Sequence, residues 1–375
     1  MTEGLSGLFD ETNNEGIARM FDILRDPSVS QIIANRHDRI SFIDATGAKR
    51  ADKVFPGPQQ YIEFLNHLLS FTDAGYTDVE NANTSFIEGS FRPDMIETHG
   101  SVHIATSEVT RDEPALTVRK QPFNLVTLND MYQQGMMNAE MRLFLETAVR
   151  GRSNIMISGG SGAGKTTLAR AMSYFIDPAQ VVVTAEEIDE LHLYDRLQNV
   201  TSLTTVRKRD EDGRVVRETT LNDLVREALR MRADRVWVGE TRGSEAYALI
   251  KACNSGHDGS VTTLHADTGK QAVRQMVTYV MESGLPETPS REQVSTAMNI
   301  VVQINRVRMD RRLITEISYL EPVIEGGNQQ RLTPLWAYDR ARDGHSFQVP
   351  AMPRGLLESW EKFGVNWDHQ PPSGY

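Results

Sequence analysis

Residues 153–167 read Ser153-Asn154-Ile155-Met156-Ile157-Ser158-Gly159-Gly160-Ser161-Gly162-Ala163-Gly164-Lys165-Thr166-Thr167, followed by Leu168-Ala169-Arg170-Ala171-Met172. The apolar run Ile155-Met156-Ile157 predicts a buried strand, and the stretch from Leu168 predicts a helix. Between them lies the complete G-x-x-x-x-G-K-[ST] pattern, in the strand-before, helix-after setting that a phosphate loop requires. Glycines let successive backbone N–H groups turn inward at phosphate oxygens, and the helix N-terminus adds the positive end of its dipole. Lys165 is expected to reach the β- and γ-phosphates and Thr166 to ligate Mg²⁺. The alternative, a glycine-rich turn with an accidental lysine, does not explain the flanking strand and helix.

Working outward, strand-like runs alternate with helical patterns: Val181-Val182-Val183, Val236-Trp237-Val238, Val261 to Leu264 and Ile300 to Ile304. That alternation predicts βαβ units and a parallel sheet, hence an α/β fold. Sites in such sheets lie at the carboxyl ends of the strands. Glu240, just after Arg235-Val236-Trp237-Val238-Gly239, is the candidate for polarising an attacking water and for supporting the metal. A second acidic set, Glu186-Glu187 and Asp189-Glu190, follows the Val181 run. Four carboxylates at a strand end repel one another unless a cation sits nearby; a solvated acidic loop is the other reading. His265 closes the Val261–Leu264 run and is placed to contact a γ-phosphate. Cys253 and His257 are four apart, too few ligands for a zinc site.

The N-terminal region differs. Residues 1–52 are polar, with a weak helical pattern around Ile17 to Leu24. Tyr61, Ile62, Phe64, Leu65, Leu68 and Leu69 have the spacing of an amphipathic helix. Short alternating runs from Thr84 to Val118 suggest a small sheet, with turns at Gly89, Gly100 and Asp112-Glu113-Pro114. These patterns divide the chain into an α+β domain over 1–122, in which 1–52 reads as a variable extension, and an α/β domain over 123–375. Gly326-Gly327, several prolines and the tail Pro371-Pro372-Ser373-Gly374 mark a peripheral lobe with a loose end from about residue 325.

Composition sets outer limits. At roughly 150 residues per domain, 375 residues imply two or three domains. The charge balance of 40 Lys plus Arg against 51 Asp plus Glu, net −11, argues against wrapping a nucleic-acid backbone as the main task. One cysteine makes no internal disulfide. The start, Met1-Thr2-Glu3-Gly4-Leu5, lacks a signal-peptide pattern, and no apolar run approaches the ~20 residues of a membrane span.

The order of these motifs resembles the secretion ATPase superfamily, which powers type II and type IV secretion and type IV pilus assembly or retraction. The phosphate loop is similar to its Walker A motif. Glu186-Glu187-Ile188-Asp189-Glu190-Leu191 is similar to its Asp box, and Leu229 to Ala246 to its Walker B region. Gly256-His257 through His265-Ala266 is similar to its His box. Within the family the chain looks most like the CpaF-like branch of Tad-type pilus ATPases and the neighbouring ATPases of conjugative type IV secretion. The family's Asp box usually begins Glu-Asp where this chain has Glu186-Glu187, so Glu190 is the safer match. Ala233 replaces a usual proline, and Gly100-Ser101-Val102 stands where Gly-Ser-Arg is common.

The resemblance implies a RecA-like P-loop NTPase domain behind a smaller N-terminal α+β domain, and a homohexameric ATPase ring that is cytoplasmic and peripheral at the inner membrane. An inner-membrane platform or secretion-channel protein would be its partner, with membrane contact only through that partner and no direct nucleic acid. It also offers Arg119 to the nucleotide. Arg242 is a cation that pairs with the Asp-box acids or faces a neighbouring subunit. The site set is therefore Lys165, Glu240, Glu190, Glu186 and His265 for chemistry. Gly159, Gly160, Ser161, Gly162, Ala163, Gly164, Lys165, Thr166, Thr167, Arg119 and Arg242 would bind nucleotide, with Thr166 and Glu240 at Mg²⁺. A conjugative nucleic-acid translocase and a non-hydrolysing nucleotide-binding scaffold are the competing readings.

Overall fold

A computed structural model describes residues 15–44, 46–51, 54–74, 78–91, 99–121, 126–209, 215–308, 311–323 and 330–367. The expected boundary near residue 122, the Gly326-Gly327 turn and the C-terminal tail lie outside them. The chain divides into two compact units, Met1–Asn124 with Lys208–Arg217, and Leu125–Arg207 with Glu218–Tyr375.

In the first unit, α1 (Glu15–Arg25) precedes β1 (Val29–Arg36), β2 (Arg39–Asp44) and β3 (Gly47–Ala51). Then come α2 (Pro58–Ser70), β4 (Phe86–Ser90), β5 (His99–Ala105) and β6 (Ala115–Gln121). The strands form one antiparallel sheet in the order β3-β2-β1-β6-β5-β4. Period-2 alternation puts Ile32, Ile40, Val102, Ile104, Leu116 and Val118 in a core with Met20, Leu24, Phe64 and Leu68 of the helices. Residues 1–52 thus supply three strands that composition did not announce. Gly89 and Gly100 lie inside strands rather than at turns. At Gly100 a Cβ would come within 2.2 Å of the Arg119 carbonyl, so the residue marks close strand approach.

The second unit holds α3 (Leu128–Gln133), α4 (Ala139–Arg150), β7 (Ile155–Gly159), α5 (Lys165–Met172), β8 (Val182–Glu186) and β9 (Val200–Thr204). A short two-stranded sheet follows, β10 (Val206–Arg209) with β11 (Val215–Thr219). Then come α6 (Leu221–Ala228), β12 (Arg235–Val238), α7 (Glu245–Cys253), β13 (Val261–Leu264), α8 (Gly269–Met281) and α9 (Glu287–Ala297). The chain ends with β14 (Ile300–Arg308), β15 (Arg311–Glu321), β16 (Arg331–Asp339), β17 (Gly344–Phe347) and α10 (Arg354–Glu361). Helix starts are capped by side chains: Asn138 accepts from the Met141 N–H, and Thr220 and Asp223 form a reciprocal capping box.

Nine strands form one sheet, ordered β17-β16-β15-β14-β7-β13-β12-β8-β9. From β14 to β9 all neighbours are parallel. β7, β8, β12 and β13 are buried throughout, as a sheet covered on both faces demands. Side chains alternate between two cores: Ile155 and Ile157 join Phe144, Leu168 and Trp237, while Met156 joins Val183, Val236 and Leu249. The α/β architecture is as the sequence predicts.

The C-terminal stretch is not an outlying lobe. β16 and β17 extend the sheet, and Trp336 and Trp360 pack on Phe144 with ring centroids 4.8 and 5.5 Å away. The Trp360 indole donates to the Ser153 hydroxyl at 2.8 Å. This burial ties α10 to the core that supports the phosphate loop.

Candidate functional site

The sheet order decides which side chains meet. β13 lies between β7 and β12, so the residue after β13 stands between the ends of the strands that carry the loop and Glu240. That residue is His265. Its Nδ1 is 3.3 Å from Lys165 Nζ and its Nε2 is 3.1 Å from Glu240 Oε1. One neutral tautomer serves both contacts, with Nδ1 accepting from the ammonium and Nε2–H donating to the carboxylate.

Arg242 grips the other side of Glu240. Its Nε donates to Oε1 at 2.8 Å and its Nη2 to Oε2 at 3.1 Å, a two-point pair. Nη1 reaches Glu187 at 2.8 Å. The turn holding Arg242 is fixed from behind by buried Glu245, whose Oε1 accepts the Gly243 N–H at 2.8 Å. Lys165, His265, Glu240, Arg242 and Glu187 therefore form one connected set. Burial pushes the Glu240 carboxyl up, but the Arg242 hydrogen bond and the charges of Arg242 and Lys165 outweigh it and hold its pKa below the usual value. Glu240 stays an ionised acceptor near neutrality.

The loop itself takes the expected form. Gly162 and Gly164 have φ of +66° and +102°, a region that favours glycine. Gly164 is the N-cap of α5, and Lys165 opens the helix. The Lys165 ammonium donates to the Gly159 and Gly160 carbonyls at 3.0 and 3.2 Å, and burial lowers its pKa against the pull of Glu240 and Glu190. Ser161 lies at the exposed tip, Ala163 is buried, and Thr167 follows Thr166 in the first turn. Thr166 Oγ1 donates to Glu190 Oε2 at 3.4 Å. Hydroxyl and carboxylate oxygens of this kind suit Mg²⁺, which keeps waters and phosphate oxygens rather than needing an all-protein cage. Among the described residues no cluster of three or more His, Cys, Asp or Glu is placed to hold a metal.

Glu186 is placed differently from the other acids. It is buried, and its Oε1 accepts the backbone N–H groups of Glu190 and Leu191, each at 3.1 Å. Its carboxylate lies against Gly239, where a Cβ would sit 2.8 Å from Oε1. Burial, with Asp189 and Glu190 nearby, raises its pKa well above normal. It holds the loop that presents Glu190. Arg119 lies on β6 in the first unit, in register with Gln31 and Ser101. Cys253 is a buried thiol pushed up to about 12 by burial, and His257 Nδ1 meets the Ala252 carbonyl at 3.2 Å.

Two neighbours of the loop were not singled out from sequence. Buried Gln303 on β14 accepts from the Ser158 hydroxyl and donates to the Ala266 carbonyl at 3.1 Å, joining the strand into the loop to the turn after His265. A glutamine inside the apolar run Ile300 to Ile304 was the available signal. Arg312 on β15 donates from Nε to the Gly162 carbonyl at 3.0 Å; nothing local in the sequence marks it.

Residues 95–318 match the type II/IV secretion system protein family. The chain is similar to a probable conjugal transfer protein TrbB of Sinorhizobium fredii, 30% identical over 54% of this chain and 58% of that protein. It is also similar to the type IV secretion system protein VirB11 of Bartonella quintana, 35% identical over 51% of this chain and 54% of that one. The chain thus spans between half and two thirds of the length of these relatives. In fold it is similar to the Legionella pneumophila ATPase DotB, with a TM-score of 0.58 and 20% identity over 81% of this chain and 80% of that one. Among the described residues no helix is long and apolar enough to cross a membrane.

Proposed function

The chain belongs to the type II/IV secretion system protein family, and on that basis we propose that it is a Mg²⁺-dependent ATPase, the motor of a type IV secretion or Tad-like type IV pilus machine. The observation that supports this most is the unbroken contact from the phosphate-loop lysine through His265 to Glu240 at adjacent strand ends.

In this reading, entering phosphates draw the Lys165 ammonium away from the Gly159 and Gly160 carbonyls. The N–H groups of the first turn of α5, which have no helical partner, add to the cradle. Thr166, with Glu190 beside it, would hold Mg²⁺, which when bound neutralises phosphate charge. Glu240, ionised and clamped by Arg242, orients and polarises the attacking water. His265, touching Lys165 and Glu240 together, registers whether the γ-phosphate is present. Glu186 acts by positioning Glu190. Arg119 and Arg242 supply cations to the nucleotide or across a subunit boundary. The assembly would be a homohexamer at the cytoplasmic face of the inner membrane, acting on a platform or channel protein.

The test is Mg²⁺-dependent ATP turnover by the purified protein. Lys165→Ala is expected to abolish it in a protein that remains folded, as circular dichroism reads. Near-normal turnover by that variant would remove the loop from the chemistry.

A further inference from the structure

We propose that Arg312 is a positioning residue of the phosphate loop, setting the direction in which the Gly162–Ala163 peptide points. The inference rests on the nucleotide-binding reading above and adds a residue to that site.

β14 pairs in parallel with β7 as far as Ile304 opposite Gly159. There β7 turns into the loop, while β14 runs on to Arg308 and β15 returns from Arg311. The β14–β15 hairpin therefore continues past the strand end. Leu313 and Ile314 are fully buried, so Arg312 hangs from a fixed backbone. From there its Nε donates to the Gly162 carbonyl at 3.0 Å, and its Cδ lies 3.7 Å from where a Cβ on Gly164 would be.

A trans peptide points its C=O and N–H in opposite directions. Tying the Gly162 carbonyl to Arg312 therefore sends the Ala163 N–H the other way. That N–H donates to the Gly160 carbonyl across the loop at 3.3 Å, a long bond that a phosphate oxygen can replace. Glycine on one side of the peptide imposes little steric preference, since Gly162 carries no Cβ and has φ of +66°. Within the loop only the long turn bond to Gly160 bears on this orientation, and Arg312 adds the shorter contact from outside.

The experiment measures binding of Mg²⁺-ADP to the full chain by calorimetry, together with the melting midpoint without nucleotide. Arg312→Ala is expected to weaken binding about tenfold, the scale of a charge-assisted hydrogen bond. Its nucleotide-free midpoint is expected to match the wild type, because the side chain is exposed. Arg312→Lys, which keeps a charged donor, is expected to recover most of the affinity. Unchanged affinity in Arg312→Ala, with Lys165→Ala still unable to bind, overturns this inference and leaves the nucleotide reading standing. A loss of affinity matched by a lowered nucleotide-free midpoint also overturns it. No binding by the wild type overturns the reading itself, and the inference with it.

Discussion

The two ends of the central strands solve different problems with polar residues. At the amino ends, polar side chains serve the backbone. Asn154 Oδ1 accepts the Gly259 and Ser260 N–H groups at 2.8 and 2.9 Å, and its Nδ2 donates to the Ala297 carbonyl at 2.7 Å. Arg235, almost fully buried, donates to the Val149 carbonyl at 2.9 Å and to Gln180 at 2.6 Å. Burial, with Arg152 close by, brings its pKa down to about 9. At the carboxyl ends, ionisable side chains also contact one another: Lys165 with His265, His265 with Glu240, Glu240 with Arg242. Groups bonded to backbone carbonyls and amides lock strand positions. Groups bonded to other charged side chains can exchange partners when a charged ligand arrives.

That contrast predicts opposite phenotypes. Arg235→Ala should cost about 3 kcal/mol or more, since it opens a buried space and strands several acceptors; urea unfolding measures it. A variant as stable as the wild type would show that Arg235 does not lock the strand starts. Asn154→Ala should cost about 1–3 kcal/mol for the backbone groups it leaves unmet, by the same measurement. The smallest effect concerns Glu186, which belongs to the carboxyl end yet bonds backbone like the amino end. Its folded pKa is raised, so the folded state binds the extra proton. Stability then declines as pH rises from the unfolded value near 4.5 towards the folded one. Glu186→Gln should lack that decline, read as the difference in melting midpoint between variant and wild type across pH. A difference that does not vary with pH would place Glu186 with the solvated acids.

The sequence carried what depends on neighbours along the chain. Strand, glycine loop and helix lie within 153–172, and strand ends at Val238 and Leu264 put Glu240 and His265 at the carboxyl ends of neighbouring strands. It did not carry what depends on register between distant strands. Gly239 leaves room for Glu186 only because β8 and β12 pair as they do. Arg312 meets Gly162 only through the course of the β14–β15 hairpin. β1 to β3 escaped notice because one face of each bears polar residues, so they resemble a polar extension. The stretch that carries Trp336 and Trp360 looks peripheral in sequence because their partner, Phe144, lies far away in the chain.

In the proposed function, Glu240, held ionised between Arg242 and His265, directs water at a nucleotide bound on Lys165. Glu240→Gln tests it most directly, with ATP binding and ATP turnover measured on the same sample. Binding is expected to survive while hydrolysis slows by about two orders of magnitude or more. An unchanged turnover rate would contradict it and move the base to another carboxylate, with Glu190 beside Thr166 the first candidate.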